Sequence, residues 1–319
     1  MKKNIYTLVL FFLLFGSSSI YADTYAFTFD DDGFANTAQD SRYTGAVVFT
    51  WMSENNDSLY DFPIMEDLKT NSAISLSSLI FTPRDKRKKT PIYDDMPYAG
   101  YVKLNFLLYK SSSTYFHEFG INVGIVGPSA KAKQLQSEFH HLIGHSKPDG
   151  WDTQLGDYPT IGLSYNFAVK SFKTDLKYFK FDWTNNIRAD AGNFYSGALV
   201  ATSLRIGSRF YDTFTTTGNF IGGYESDLLN FDATKSFNWD ITFGLFANKV
   251  FNYYIVDRAR DIGYEIPDIG YITGEEVTYS LYYREVQYSF KLKSVYLSNN
   301  HFLSKASKQW GGITVKWKF

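Results

Sequence analysis

The amino-acid sequence predicts an all-β protein, a twelve-stranded antiparallel up-and-down transmembrane β-barrel with a short helix in an extracellular loop. Aromatic residues make up 19% of the 319 residues, with 29 Phe and 25 Tyr, yet mean hydropathy is −0.25. Barrels combine aromatic girdles with a polar interior, which fits both values. The last nine residues, GGITVKWKF, alternate apolar and polar side chains, as expected for a strand with one lipid-facing side. The chain contains no cysteine, so a disulfide framework is excluded.

The N-terminus predicts a secretory signal peptide over residues 1–22. Lys2 and Lys3 precede the apolar run LVLFFLLFG, and Ala22 supplies a small residue before the expected cleavage. The apolar run is too short for a spanning helix, although an N-terminal anchor helix is the alternative. Together with the C-terminal strand, this segment predicts the bacterial outer membrane as the location of a single domain over residues 23–319.

Alternating segments predict the twelve strands, an even number as bacterial single-chain barrels require. The predicted strands are 24–30, 43–53, 74–83, 98–109, 114–126, 158–169, 174–186, 193–207, 238–255, 277–286, 288–299 and 309–319. If the N-terminus lies in the periplasm, the outward connections include 84–97, 127–157, 187–192 and 256–276. The periplasmic connections 54–73 and 208–237 are then longer than the short turns that are usual there. We expect a monomer.

Three adjacent carboxylates, Asp30, Asp31 and Asp32, lie at the end of the first predicted strand. Like charges at this spacing repel one another unless water or a cation relieves them. The run therefore indicates either a solvated loop or part of a calcium site.

The connection 127–157 predicts a helix over 129–143, with Ser129 as its N-cap and Gly144 at its end. We expect the helix to bury an apolar stripe against the barrel wall or the lipid, formed by Ala132, Leu135, Phe139, Leu142 and Ile143. His140 flanks this stripe, so it is either a half-shielded general base or a polar surface residue.

Two further patterns leave alternatives open. His141 and His145 have a spacing that permits metal binding, but no third ligand is evident and a solvated helix face explains them equally. The run RDKRKK at 84–89 suits either recognition of phosphate or acidic sugar, or a solvated, snorkelling charge cluster. The sequence lacks a G-x-S-x-G motif, although a spatially assembled Ser–His phospholipase site stays open.

Four segments resemble the LpxR family of outer-membrane lipid A 3′-O-deacylases: FDDDGFANT with RYTGAV, DDMPYAGYVKL, INVGIVGPSAKAKQLQSEFHHLIG and PDGWDTQL. The resemblance implies calcium-dependent hydrolysis of the 3′-linked acyloxyacyl ester of lipid A within lipopolysaccharide. It places the family's catalytic histidine on His140, its Asn-Asp pair on Asp31 and Asp32, and its Tyr-Thr pair on Tyr43 and Thr44. The basic substrate-binding residues fall on Lys86 and Arg87.

The resemblance also implies a mechanism like that of secreted phospholipases A2. His140 would activate water, and Ca²⁺ held by Asp32 and Asp31 would stabilise the oxyanion, while Thr44 would orient the water or the imidazole. The chain departs from the family at Asp31, where an asparagine is usual, and at Ser146, where some members have an acid. The rival prediction is a non-enzymatic barrel, either a pore or an adhesin. Net charge is −1, which predicts no nucleic-acid partner.

Overall fold

Twelve antiparallel strands form a closed barrel in which each strand pairs with its sequence neighbours and β1 pairs with β12. The computed structural model describes residues 24–35, 42–53, 65, 68–208, 213–217, 234–298 and 307–318. The predicted fold class is confirmed, whereas the predicted signal peptide lies outside the described residues. The strands are β1 Thr24–Asp31, β2 Arg42–Met52, β3 Lys69–Thr82, β4 Ala99–Ser111, β5 Tyr115–Val126, β6 Tyr158–Asp175, β7 Lys180–Gly192, β8 Tyr195–Gly207, β9 Thr234–Tyr253, β10 Tyr271–Arg284, β11 Val286–Ser298 and β12 Ser307–Lys318.

The strands alternate between a lumen face and an outward face. On β5, Phe119 and Ile121 are exposed on the outside, whereas Glu118, which directly precedes Phe119, is fully buried in the lumen. Outward aromatic rings also meet across the closure, where Tyr25 of β1 stacks on Trp317 of β12 at 5.9 Å between ring centroids. This arrangement puts apolar surface outside and polar groups inside, as membrane barrels require.

Several predicted strand boundaries are wrong by a few residues. β3 begins at Lys69 rather than 74, and β10 begins at Tyr271 rather than 277. The predicted strand 174–186 is β7 at Lys180–Gly192, so the predicted connection 187–192 is strand. The shift follows from a bulge between Lys170 and Phe172, which changes the phase of the alternation from which the boundary was predicted.

A helix that the sequence did not predict closes one end of the lumen. Helix α2, Tyr254–Asp261, directly follows β9, and its residues Ile255, Val256 and Ala259 are buried. They belong to one apolar cluster with inward side chains from strands around the barrel, including Tyr43, Phe81, Tyr101, Phe246, Ile272 and Trp310. Cluster members from opposite sides of the barrel can meet only inside the lumen. Among the described helices, none is both long and apolar enough to cross a membrane.

The other end of the lumen holds residues 213–217, part of the long predicted connection 208–237. Phe214 is fully buried and packs edge-on against Phe116 at 4.9 Å. The lumen-facing guanidinium of Arg205 donates to the Thr213 hydroxyl at 2.8 Å and to its carbonyl at 2.9 Å. The segment therefore enters the barrel, which explains why this connection is longer than a turn.

Candidate functional site

Helix α1, Ala132–Leu142, lies on the outward face of the barrel wall. A 3-10 turn at Pro128–Ala130 precedes it, and Lys131 in the left-handed conformation separates the two. The predicted single helix over 129–143 is therefore wrong at its N-terminus. Ser129 does not cap α1, because its amide and hydroxyl donate to Asp157 at 2.8 and 2.6 Å. These hydrogen bonds hold the pKa of Asp157 below its usual value.

The face of α1 that contacts the wall contains only part of the apolar stripe, which was expected to contact either the wall or the lipid. Its buried residues are Ala132, Gln136 and His140, which lie four apart and so share one face. The predicted apolar stripe is not buried as a whole, since Leu142 is 81% exposed and Ile143 46%. A membrane-facing helix reverses the usual pattern, because its apolar residues contact lipid and its small and polar residues contact protein.

Close packing brings α1 against the strands. The Ala132 side chain packs over Gly100 of β4, where an added Cβ would lie only 2.4 Å from the Ala132 Cβ. Farther along the helix, the ring of Phe139 lies 5.1 Å from that of Phe29 on β1. Glycine at position 100 is therefore required for this approach, which places the C-terminal half of α1 beside the end of β1.

The imidazole of His140 is held in one orientation. His140 is 5% exposed, so its interpretation as polar surface is wrong. Its Nδ1 lies 2.7 Å from the backbone carbonyl oxygen of Ser146. Because a carbonyl only accepts, Nδ1 carries the proton and the neutral ring keeps its lone pair on Nε2. The carbonyl of Ser146 thus supplies an orienting group where some family members are expected to have an acidic side chain.

The end of α1 produces this contact. Gly144 adopts φ 75°, and the amide of His145 donates to the His140 carbonyl at 2.8 Å. The Gly144 amide contacts the His141 carbonyl at 3.4 Å, which completes a Schellman motif. A glycine is favoured here because the left-handed conformation is costly for other residues. The motif reverses the chain and brings residue 146 back to the ring of residue 140.

A buried glutamine that the sequence did not predict lies one turn before His140. The indole N–H of the fully buried Trp151 donates to Gln136 Oε1 at 2.8 Å. The side-chain amide nitrogen of Gln136 is buried and makes no hydrogen bond within the described part of the chain. Since the oxygen is already engaged, Gln136 retains an N–H donor for a ligand. Gln136 precedes His140 by four residues, a spacing that could have identified it.

A cleft of about 220 Å³ separates α1 from the wall and brings together four of the six predicted site residues. Asp31, Thr44, Lys86 and His140 all line it, as do Gln136 and His145. Asp32 is not among the lining residues; it is buried at the start of the 3-10 turn Asp32–Ala35. Arg87 is also outside the cleft, with its side chain 81% exposed and its Nε 3.7 Å from Asp85.

The three aspartates occupy different environments. Asp30 is on the lumen side, where its carboxylate accepts a hydrogen bond from the Tyr43 hydroxyl at 2.9 Å. Asp31 is on the outward side and accepts from the Gly33 amide at 2.7 Å. In the described ranges, no group of three or more His, Cys, Asp or Glu side chains could hold a metal ion. That observation also leaves the predicted His141 and His145 metal pair without support.

The other two predicted residues in the cleft, Lys86 and Thr44, are anchored by neighbouring segments. The carbonyl of Lys86 accepts hydrogen bonds from the Asp149 amide at 2.8 Å and from the Tyr98 hydroxyl at 2.9 Å. Thr44 lies at a bulge in β2, and its hydroxyl is 2.7 Å from that of Thr82. The cleft therefore combines an oriented imidazole, a carboxylate, an ammonium group and hydrogen-bond donors on the outside of a barrel.

Comparison with known proteins identifies the family and supports the barrel fold. Among solved structures, LpxR from Salmonella typhimurium is similar, with a TM-score of 0.76 at 15% identity over 93% of this chain and 100% of that chain. The β domain of the Bordetella autotransporter BrkA matches with a TM-score of 0.47 at 8% identity over 94% of this chain and 100% of that chain. A search of curated protein sequences found no match. Residues 5–319 match the family model described as outer membrane protein LpxR, and the chain therefore belongs to the LpxR family of outer-membrane proteins.

Proposed function

We propose that the protein hydrolyses the 3′-linked acyloxyacyl ester of lipid A in a calcium-dependent reaction, with the cleft facing the cell exterior. One observation carries the proposal: the oriented imidazole of His140 shares an outward-facing cleft with Asp31, Thr44 and Lys86. A cleft on the outside of a barrel suits a substrate whose acyl chains stay in the membrane. Lipid A in the outer leaflet is such a substrate.

His140 acts as the general base. Its Nε2 accepts a proton from water, and the water oxygen attacks the ester carbonyl carbon. The tetrahedral intermediate then loses the sugar oxygen, which takes the proton back from the imidazolium as the fatty acid leaves. The Ser146 carbonyl accepts a hydrogen bond from Nδ1 throughout, which favours the charged ring in the transition state. In this mechanism the Thr44 hydroxyl hydrogen-bonds the attacking water.

The residues of the cleft fit a calcium ion in their chemistry. Asp31 lines the cleft, and the next residue, Asp32, is buried outside its lining; both supply carboxylate oxygens, the ligands that Ca²⁺ prefers. Because these are only two side chains, backbone, water or substrate oxygens would complete the ligand set. A calcium ion bound there supplies positive charge for the developing oxyanion. The side-chain N–H of Gln136 offers a further hydrogen-bond donor to this oxyanion.

Two basic residues and an apolar surface, in and beside the cleft, account for substrate binding. Lys86 presents an ammonium group that can pair with a lipid A phosphate, and Arg87 is placed at the exposed rim to meet sugar acids beyond it. The exposed residues Leu135, Leu142 and Ile143 of the α1 region provide apolar surface for acyl chains. The filled lumen favours this interpretation over a pore, because α2 and residues 213–217 occupy its two ends.

The proposal is tested by comparing His140→Ala with His141→Ala. Lipid A from cells expressing each variant is analysed by mass spectrometry, and barrel folding is checked by heat-modifiable gel mobility. We expect lipid A from cells expressing His140→Ala to keep the 3′ acyloxyacyl group. Lipid A from cells expressing His141→Ala should lose it, since His141 is exposed and outside the proposed mechanism. Full activity in His140→Ala would eliminate the proposed base. Hydrolysis of pure phospholipid in place of lipid A would instead identify a phospholipase.

A further inference from the structure

A second depression lies on the outward wall across β7, β8 and β9, away from the catalytic cleft on β1 to β3. It has a volume of about 460 Å³. Ala189, Ala198 and Ala247 line it, and the first two face each other in the strand register. Neighbouring outward positions carry large side chains such as Leu163, Phe243 and Phe251. The alanines therefore create a groove, which we call the alanine groove.

Two tyrosines and a lysine border the alanine groove. Tyr165 of β6 pairs in register with Ala189 on one side, and Lys249 of β9 pairs with Ala198 on the other. Lys249 in turn pairs with Tyr271 of β10, and its Nζ lies 4.0 Å from the centroid of the Tyr271 ring. An apolar channel thus has hydroxyl groups and an ammonium group along its edges.

Lys249 is unusual for an outward position. It is the one charged residue among the described outward side chains of β7, β8 and β9, and it makes no ion pair with a described residue. A lysine on a lipid-facing wall is destabilising unless it lies near the membrane interface or meets an anion. Lys249 is four residues before the end of β9, about 13 Å at the rise of a strand. This end of β9 lies at the α1 rim, the end of the barrel at which α1 packs beside the end of β1.

We propose that the alanine groove binds an acyl chain of a lipid A molecule whose phosphate pairs with Lys249. The choice of lipid A rests on the orientation in the proposed function, which places this rim in the outer leaflet. An acyl chain matches the apolar floor, and a phosphate matches the Lys249 ammonium group, which contacts the Tyr271 ring but makes no ion pair with a described residue. The bordering tyrosine hydroxyls can hydrogen-bond the sugar. The bound molecule is separate from the substrate, because the groove and the cleft lie on different strands.

The test counts bound lipids on the purified full-length protein by native mass spectrometry after addition of lipid A. Every protein carries His140→Ala so that the lipid stays intact. Ala198→Trp fills the groove, whereas the matched control Ala191→Trp adds the same ring at an outward alanine outside it. We expect Ala198→Trp to bind one lipid A fewer than Ala191→Trp, and Lys249→Gln to lower occupancy of that site at least fivefold.

Equal lipid counts for Ala198→Trp and Ala191→Trp would overturn the proposal. The proposal would also be overturned if phosphatidylglycerol were retained in the groove as well as lipid A is, since that result would show no preference for lipid A. The readout does not depend on hydrolysis. A failure of the deacylase activity with a normal difference in lipid count would therefore reject the proposed function and leave the groove standing.

Discussion

Replacing Gly100 with alanine tests whether the distance between α1 and the wall controls hydrolysis. The added Cβ would lie 2.4 Å from the Ala132 Cβ, whereas ordinary contacts begin at 3.4 Å, so the two elements must separate by about 1 Å. His140 is on the same helix face as Ala132 and moves with it. A displacement of about 1 Å in a catalytic group can cost about 10²-fold in rate, or roughly 2.7 kcal/mol. We expect this loss in the initial rate of fatty-acid release from lipid A at saturating calcium.

The double variant Gly100→Ala with Ala132→Gly provides the internal control. It removes the clashing Cβ, and the next atoms from the new Cβ are Ala130 Cβ at 3.4 Å and Ala132 N at 3.5 Å. We therefore expect most of the activity to return. Gly156→Ala is the matched surface control, because no atom lies within 4 Å of its added Cβ. An unimpaired Gly100→Ala, or a double variant as slow as the single one, would refute the reasoning.

Three further predictions follow from the site and the lumen. Ser146→Ala should hydrolyse lipid A within about threefold of the unmodified rate, because the orienting carbonyl is backbone; a loss as large as that of His140→Ala would contradict this. Asp31→Ala should raise the calcium concentration that gives half-maximal rate at least about tenfold. Asp31→Asn should raise it less, because the amide keeps one oxygen that can bind calcium. An unchanged calcium titration would exclude Asp31 as a ligand. In planar lipid bilayers the unmodified barrel should not conduct ions, while Phe214→Ala should open intermittently; steady conductance of the unmodified protein would contradict a filled lumen.

The barrel was predictable because alternation with period two repeats in every strand. Prediction failed where a local feature interrupts that period. The bulge at Lys170 and Phe172 moved the boundary of β7, and the polar, buried Thr70 and Asn71 hid the start of β3. Helix α2 was missed because its apolar residues continue the hydrophobic run of β9. An eight-residue helix is too short for its own period to stand out.

The site was predictable where the family motif carried it and unpredictable where backbone geometry did. The motif placed His140, Asp31, Thr44 and Lys86, which the structure brings to one cleft, but it also included Asp32 and Arg87, which are not among the lining residues. The contact of His140 with the Ser146 carbonyl could not be predicted, since a backbone group leaves no trace in residue identity. The sequence left open whether the apolar stripe of α1 faces the wall or the lipid, because the spacing of apolar residues is the same in both cases.

The outward position of the cleft beside α1 determines how a ligand can arrive. A pocket inside a lumen is filled from water, and its occupancy follows the bulk concentration. The cleft between α1 and the wall lies on the outward face instead, so under the proposed function a membrane-resident molecule would enter by lateral diffusion without leaving its leaflet. Encounter then depends on the number of molecules per unit of membrane area, and packing and viscosity of the surrounding lipid become variables of the reaction rate.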